Sequence, residues 1–315
     1  MLVERTLIAY FISSVLLTLH CKWFLHTGRL GLPWLLFALH SVSCTCFSGC
    51  VLLKAKKPLA KPLFNAATDT NFLLYTAVYT LTIAFSNISL KESTLSFNQL
   101  ARASTPLAVM AFEFLFLGTP QNLLKTASLF PIVVGIALTS IGELKLKDAS
   151  AFSLVVTFAS IGLSAAKGVF TKHLFVTKKE NNPLVVLFNM SVLATAQSML
   201  AALVVGELPQ LRTILKQKTG AERLLFSANV LLSGVLAFGV SLSGMAGNKN
   251  TSPLSITIVG CLKQVLLIVL GMLFTECSSL RLAGACASIG GIFLYNAACY
   301  REKNKKAQKG EYRQV

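Results

Sequence analysis

Residues 252–273 read Ser-Pro-Leu-Ser-Ile-Thr-Ile-Val-Gly-Cys-Leu-Lys-Gln-Val-Leu-Leu-Ile-Val-Leu-Gly-Met-Leu, an apolar stretch that contains one cation, Lys263. A helix of about 20 apolar residues crosses the hydrocarbon core of a bilayer. Inserting a lysine at that depth costs roughly 2.5–3.5 kcal/mol, so such a residue normally faces the protein interior and serves a function. The stretch therefore predicts both a transmembrane helix and a functional cation within it.

The composition of the whole chain is that of an integral membrane protein. Of its 315 residues, 54% are hydrophobic and 13% are charged, whereas a soluble domain carries about 25% charged residues. A net charge of +17 would favour nucleic-acid binding in a soluble protein. Here most cations lie in short loops and at the C-terminus, where the positive-inside bias and anionic lipid account for them, so we predict no nucleic-acid partner.

Further apolar segments of the same kind occur along the chain, and together they predict ten transmembrane spans. The spans start near Thr6, Leu30, Asn71, Thr94, Asn122, Ala151, Pro183, Leu225, Ser252 and Ser279. The first run, residues 6–26, has no small-residue cleavage signature and no transit region rich in Arg and Ser before it, so we interpret it as a retained span.

Loop cations predict the orientation. They are in excess on the side that holds both termini, which predicts cytosolic termini. The opposite side holds Arg281, interpreted as a loop cation, and a basic loop at residues 212–223. This basic loop weakens the asymmetry of charge between the two sides.

An internal repeat relates the two halves of the chain. Gly135-Ile-Ala-Leu138 follows Lys125, and Gly291-Ile-Phe-Leu294 follows Arg281 at the same spacing. In the same order, Arg102 corresponds to Lys263 and Lys22 to Lys167. Because each half has an odd number of spans, the two halves insert with opposite orientation, as in transporters that expose a midplane site alternately.

These observations predict the architecture. We expect an all-α integral membrane protein with ten transmembrane helices arranged as an inverted five-plus-five repeat. The first repeat covers residues 1–148, the second covers residues 149–300, and residues 301–315 form a basic cytosolic tail.

Four cations, Lys22, Arg102, Lys167 and Lys263, lie within predicted spans together with one acid, Glu113. A cation pore would favour acidic rings or carbonyls, and a proton relay would favour Asp, Glu or His chains. Arginine supplies a bidentate fork and lysine a point charge, both of which suit phosphate. The pattern therefore predicts a phosphorylated anion as the substrate.

Each cation also has a structural alternative. Lys22 lies near the end of its span and could reach the interface, and Lys167 could belong to a basic helix end. Arg102 could pair with Glu113, although their spacing of about three helical turns is too long for direct contact.

Neutral polar residues on the same helices could add hydrogen bonds to the substrate, or could simply join helices. The candidates are Asn98, Asn189, Thr257 and Gln264. Tyr75, Tyr79 or Tyr295 could stack on a ring. We interpret the cysteines of the run Cys44-Thr-Cys46-Phe-Ser-Gly-Cys50 as packing residues and predict no metal and no cofactor.

Three stretches resemble one transporter family. Leu95-Ser-Phe-Asn-Gln-Leu-Ala-Arg-Ala-Ser-Thr-Pro106 is similar to the fourth helix of the nucleotide-sugar/triose-phosphate translocators, within the drug/metabolite transporter superfamily. Residues 164–174 and 255–264 resemble their sixth and ninth helices. The resemblance implies ten helices in an inverted repeat and obligate exchange of phosphorylated metabolites. Plastid members carry a Lys-Arg pair in the ninth helix, where this chain has Lys263-Gln264.

Within that family the run Thr257-Ile-Val-Gly-Cys-Leu-Lys263 is most similar to UDP-sugar carriers of the Golgi and endoplasmic reticulum. We therefore predict an antiporter, not an enzyme, that exchanges a nucleotide sugar for a nucleoside monophosphate in one of those membranes. Arg102 and Lys263 would neutralise phosphates, and Lys22 and Lys167 would contribute at opposite ends of the cavity. The alternatives are a sugar-phosphate/phosphate exchanger and a non-transporting membrane scaffold, and the sequence also allows a homodimer.

Overall fold

The computed structural model describes residues 2–26, 31–56, 67–105, 107–108, 111–112, 123–145, 151–178, 182–250, 253–273 and 278–308. Within these ranges all regular structure is helical. The helices are α1 (Leu2–His26), α2 (Pro33–Lys54), α3 (Thr70–Glu92), α4 (Leu95–Arg102), α5 (Leu123–Lys145), α6 (Ala151–Lys178), α7 (Pro183–Val204), α8 (Glu207–Gln217), α9 (Gly220–Asn250), α10 (Pro253–Leu273) and α11 (Ser279–Gln308).

Six of these helices are long and apolar enough to cross a membrane. The qualifying segments are Thr6–Leu25, Pro33–Lys54, Thr70–Glu92, Pro183–Val204, Gly220–Gly247 and Ser279–Ala298. Shorter apolar segments occur at Thr126–Thr139, Ala151–Lys167 and Leu262–Leu273, in α5, α6 and α10. The prediction of an all-α membrane protein is confirmed. The predicted span from Thr94 begins as α4, and Glu113 lies outside the described residues.

One part of the sequence interpretation was wrong, because the segment read as a basic loop at 212–223 is mostly helical. Residues 212–217 are the second half of the amphipathic helix α8, and residues 220–223 begin α9. Gly206, with φ at +79°, ends α7 in the left-handed region and lets the chain turn into α8. The 11 residues of α8 are too short and too polar for a span, so a search for long apolar runs misses them.

The helices form two compact units. Unit 1 comprises Met1–Glu92 and Ala166–Thr251, and unit 2 comprises Ser93–Ala165 and Ser252–Val315. Each unit takes helices from both predicted repeats, so the units divide the chain differently from the repeats. The helix α6 contributes its first part to unit 2 and its last part to unit 1.

In unit 1, α2 packs against α7 and α9, α1 packs against α9 and α3, and α3 packs against α7. Hydroxyl and amide side chains join these helices. The Gln197 amide of α7 donates to Thr76 Oγ1 (3.1 Å) and accepts from Thr80 Oγ1 (2.7 Å), both on α3. Thr45 Oγ1 of α2 donates to Ser191 Oγ of α7 at 3.1 Å. Such hydrogen bonds stabilise helix pairs where little hydrophobic driving force exists between helices and lipid.

In unit 2, α5 packs along α11, and α4 packs against α10. The α5–α11 pair is close because α11 presents glycines to α5. A Cβ on Gly291 would meet the backbone nitrogen of Ile132 at 2.9 Å, and one on Gly284 would meet the Gly135 carbonyl oxygen at 2.6 Å. Backbone atoms cannot move aside as a flexible side chain can. Small residues therefore set the spacing of this helix pair.

Gly291→Ala is expected to lower the thermal unfolding midpoint of the purified protein, because the added methyl group must push α5 away from α11. Overpacking of this kind costs about 1–3 kcal/mol. The matched control is Gly290→Ala, one residue earlier, where an added Cβ meets nothing within 4 Å. We expect that control to match or exceed the wild-type midpoint, since alanine favours a helix over glycine. Equal midpoints for the two variants in detergent would refute the close approach.

Candidate functional site

The four cations predicted inside the membrane fall two to a unit. Lys22 and Lys167 belong to unit 1, and Arg102 and Lys263 belong to unit 2. These are the same pairs that the internal repeat predicts.

Unit 1 contains a cavity of about 280 Å³. Among the described residues, tyrosines, small polar residues and one lysine, Lys167, line it, and none of those lining residues is Asp or Glu. The polar and aromatic members of the lining are Tyr10, Phe37, His40, Ser41, Cys44, Tyr75, Tyr79, Ser191 and Ser241. With Lys167 and no acid among the described lining residues, the charge at this wall is positive.

Lys167 is held at the cavity wall by an aromatic ring. Its Nζ lies 5.6 Å from the centroid of the Tyr79 ring, which belongs to α3. A cation over a ring face is attracted by the ring quadrupole, and the attraction is stronger where water is scarce. Tyr75, one turn before Tyr79 on α3, is buried and lines the same cavity. Both tyrosines were predicted as stacking partners for a ring, and both lie at the wall of the unit 1 cavity.

Lys22 has a different position. Its Nζ donates to the Leu90 carbonyl oxygen in the last turn of α3 at 2.9 Å, and Lys22 is not among the residues that line the cavity. The last carbonyls of a helix lack intrahelical partners and carry partial negative charge. A lysine there stabilises the C-terminal end of α3, so the structure gives Lys22 a role at a helix end.

In unit 2, Arg102 ends α4 with its guanidinium held at two points. Nε donates to Asn98 Oδ1 at 3.1 Å, and Nη2 donates to Ser160 Oγ of α6 at 3.5 Å. Asn98 Oδ1 also accepts from Gln99 Nε2 at 3.2 Å. Both Asn98 and Gln99 are buried. Asn98, predicted as a substrate contact, therefore orients Arg102.

The start of α4 is also fixed. Thr94 is its N-cap and accepts from the Phe97 backbone N–H at 3.3 Å. Arg281 Nη2, from the beginning of α11, donates to the same hydroxyl oxygen at 3.4 Å. An N-cap of this type satisfies one of the free donors of the first helical turn. The whole of α4, and with it Arg102, is positioned from its first turn.

Lys263 and Gln264 lie on the helix packed against α4. Gln264 Nε2 donates to the Arg102 carbonyl oxygen at 3.3 Å, which brings this turn of α10 to the end of α4. Lys263 is half-buried. The predicted pairing of Arg102 with Lys263 thus corresponds to neighbouring turns of two packed helices.

The two remaining predicted residues are placed differently. The backbone of Thr257 lies in α10, but its side chain is outside the described residues. Asn189 is buried in α7 and is not among the residues that line the cavity.

Sequence reasoning missed two residues of this region. His40 lies in α2 at the cavity wall, 6% exposed, and within the described part of the chain its Nε2 has no hydrogen-bond partner. A titratable residue in a predicted span was a usable signal. Arg281 was interpreted as a loop cation, yet its side chain is only 2% exposed. Its neighbours in sequence do not reveal this, because its contact, Thr94, comes from the other half of the chain.

Comparison with known proteins adds the family. A family model described as the Triose-phosphate Transporter family matches residues 2–296, nearly the whole chain. The chain belongs to this family. The predicted translocator family is therefore confirmed, and this family member is a multi-pass membrane protein of a transporter family.

Three relatives show the range of similarity. A probable sugar phosphate/phosphate translocator of Arabidopsis thaliana is 23% identical over 94% of this chain and 95% of its own length. A chloroplastic phosphoenolpyruvate/phosphate translocator 3 of Oryza sativa subsp. japonica is 28% identical over 70% of this chain, which spans only 56% of that protein. Solute carrier family 35 member E4 of Rattus norvegicus is 26% identical over 87% of this chain and 74% of its own.

One solved structure, described only as "Crystal structure of protein", superposes with a TM-score of 0.53. It covers 92% of this family member and 97% of its own chain at 18% sequence identity. At that identity the likeness concerns the fold alone.

Proposed function

We propose that this chain is an antiporter that exchanges phosphorylated small molecules across a membrane by alternating access. The observation that carries the proposal is the cavity of unit 1, where Lys167 lies over the Tyr79 ring and none of the described lining residues is an acid. A half-buried lysine over an aromatic ring, beside a cavity, suits an anionic ligand, because a phosphate offsets the cost of keeping that charge partly away from water.

The first candidate substrate pair is a sugar phosphate or phosphoenolpyruvate against inorganic phosphate. This choice rests on the names of the plant relatives, which describe a phosphoenolpyruvate/phosphate translocator and a probable sugar phosphate/phosphate translocator. The second candidate is the pair predicted from the sequence, a nucleotide sugar, UDP-linked, against a nucleoside monophosphate. It is favoured by the three tyrosines at the cavity, Tyr10, Tyr75 and Tyr79, whose rings suit a nucleobase. Gln264, an uncharged residue beside Lys263, also departs from the plastid Lys-Arg pattern.

We assign phosphate binding to Lys167 in unit 1 and to Arg102 and Lys263 in unit 2. Arg102 supplies a planar fork whose orientation Asn98 and Ser160 define. Gln264, Asn98, Asn189 and Thr257 remain candidates for hydrogen bonding or for positioning these cations. Lys22 takes a supporting role at the C-terminal end of α3.

The inverted five-plus-five repeat is part of the proposal, with repeats at residues 1–148 and 149–300. Its support is the helix packing within each unit. When each predicted span is exchanged for the span five places along the chain, the α2–α7, α4–α10 and α5–α11 pairs map onto themselves. The same exchange turns α2–α9 into α7–α3 and α4–α5 into α10–α11, and all four of these pairs are in contact. Two inverted repeats related by a pseudo-two-fold axis produce such a pattern.

Exchange without a separate driving ion follows from the intramembrane cations. Without a bound anion these cations are costly to remove from water, so the occluded state of the empty protein is unfavourable. A bound phosphate compensates the charge. Only the substrate-bound protein then switches readily between the states open to the two sides of the membrane.

For location, we propose a Golgi or endoplasmic-reticulum membrane with both termini cytosolic, and a plastid membrane as the alternative that the chloroplastic relatives favour. A homodimer is compatible with either location. Fluorescent tagging of the full-length protein, combined with protease access to tags at each end, tests compartment and orientation together.

The exchange activity is testable in liposomes that contain the purified protein. Vesicles are preloaded with phosphate, UMP, GMP or buffer alone, and labelled triose phosphate, phosphoenolpyruvate, UDP-sugar or GDP-sugar is offered outside. Phosphate-dependent uptake of a sugar phosphate or phosphoenolpyruvate is the expected result for the first candidate. Uptake of a nucleotide sugar that depends on internal nucleoside monophosphate is expected for the second.

Two outcomes would contradict the proposal. Uptake that is equally fast into buffer-loaded vesicles would exclude obligate exchange. A folded protein that transports none of these solutes would favour a membrane scaffold that kept the fold.

A further inference from the structure

The short helix α8 lies at one surface of the membrane. It joins α7 to α9, and both of these helices are long and apolar enough to cross a bilayer. Consecutive spans are connected at a membrane surface. Exposed apolar side chains extend to the two ends of the connection, with Val204 of α7 80% exposed and Leu224 of α9 74% exposed. Side chains of this kind contact acyl chains, so α8 lies at the depth where acyl chains meet headgroups.

The sequence of α8 is amphipathic. Leu208, Leu211, Ile214 and Leu215 share one face and are half-buried. Arg212 and Lys216 are exposed and, being four residues apart, lie on the same side of the helix next to that apolar face. Long basic side chains at the edge of an apolar face reach towards headgroups while their stems stay in apolar surroundings.

Contacts at both ends fix α8 in place. The Glu207 carboxylate accepts the backbone N–H of Leu35 at 2.7 Å and of Trp34 at 3.2 Å, at the start of α2. Burial raises the pKa of the Glu207 carboxyl, and those two N–H groups, together with Lys91, oppose the increase. After α8, Arg223 Nε donates to the Leu215 carbonyl oxygen at 2.9 Å. The orientation of the exposed side of α8 is therefore defined by the protein.

The two exposed cations of α8 are not used in this anchoring. Among the described residues, neither Arg212 nor Lys216 has a hydrogen bond or an ion pair, whereas Lys218 lies 5.7 Å from the Phe226 ring centroid and Arg223 caps α8. Two free cations, fixed at headgroup depth and one helical turn apart, complement the negative phosphates of acidic phospholipids.

We propose that Arg212 and Lys216 of α8 form a binding site for the headgroups of acidic phospholipids. The apolar face of α8 packs partly on α2 and α7, and the rest of that face contacts the acyl chains of the same lipids. The proposal does not depend on the transported substrate.

The test uses Trp34 as a local reporter. The chain has two tryptophans, and Trp34 donates its backbone N–H to the first residue of α8. The Trp23→Phe protein, with Trp34 as its one tryptophan, is reconstituted in phosphatidylcholine vesicles. A fixed fraction of the lipid carries brominated acyl chains, which quench tryptophan fluorescence, on either phosphatidylglycerol or phosphatidylcholine. We expect stronger quenching by brominated phosphatidylglycerol, and a smaller difference at high salt.

Removing the charges should remove the preference for acidic lipid. In the Arg212→Gln/Lys216→Gln variant, the relative affinity for phosphatidylglycerol is expected to fall roughly five-fold for each cation removed. The Arg212→Lys/Lys216→Arg variant keeps both charges and should keep the preference. Gln210→Ala/Gln217→Ala alters two exposed neutral side chains of the same helix and should also keep it.

Two results would overturn the site: equal quenching by the two brominated lipids in the parent protein, or an unchanged preference in the variant without Arg212 and Lys216 charges. Thermal unfolding and the unquenched Trp34 emission spectrum verify that each variant is folded. If the double variant does not fold, the single variants Arg212→Gln and Lys216→Gln decide the question. Each should lose part of the preference, and full retention by both refutes the proposal.

Discussion

Lys167→Gln is expected to weaken the apparent affinity for the phosphorylated substrate by roughly two to three orders of magnitude. Among the described residues that line the unit 1 cavity, this lysine is the one with a charged side chain. A unit charge about 4 Å from a phosphate is worth about 4 kcal/mol at an effective dielectric constant of 20, and each 1.4 kcal/mol is about a tenfold change in affinity. The measurement is the concentration dependence of labelled uptake into preloaded liposomes.

Matched variants separate this charge effect from general damage. Lys54→Gln removes an exposed lysine at the end of α2 and should leave the affinity for substrate unchanged. Tyr79→Phe keeps the ring face under Lys167, whereas Tyr79→Leu removes it and with it about 0.5–2 kcal/mol of cation–π attraction. We expect Tyr79→Leu alone of these two to weaken substrate binding. Wild-type affinity in a folded Lys167→Gln protein would exclude Lys167 from the site.

Arg102→Met is expected to reduce exchange by roughly ten-fold to a hundred-fold, because a hydrogen bond to a charged group contributes about 1.5–3 kcal/mol. The variant also leaves Asn98 Oδ1 and Ser160 Oγ without the guanidinium that they orient. Arg102→Lys restores the charge but not the planar fork, so its exchange rate should lie between those of the wild type and Arg102→Met. Rates of exchange at saturating and limiting substrate, measured on protein of verified fold, make the comparison.

A double-mutant cycle tests how Asn98 acts. If Asn98 works by orienting Arg102, Asn98→Ala should slow the wild type and have little further effect in Arg102→Met. Additive effects would instead show that Asn98 contacts the substrate independently of Arg102, as predicted from the sequence. Wild-type exchange in both Arg102→Met and Arg102→Lys would remove Arg102 from the binding site altogether.

Much of the architecture could be predicted because a transmembrane helix is a local property of the chain. Pro33–Lys54 and Pro183–Val204 both begin at a proline, are rich in apolar residues, and were located to within a few residues. The short helix α8 was missed because its signal is a periodicity of four apolar residues, not a long apolar run. Residues 301–308 continue α11 as a helix, although the sequence assigned them to a tail.

The residues by themselves determined the class of protein and the transporter family, and they predicted four cations inside the membrane, since the cost of a charge in hydrocarbon depends on local sequence alone. The tertiary structure decided which contacts each cation makes. Lys167 lies at a cavity wall over Tyr79, whereas Lys22 binds the end of α3. Arg281, read as a loop cation, is buried against Thr94. These partners come from distant parts of the chain, and the rotation of each helix about its axis, set by packing, selects them.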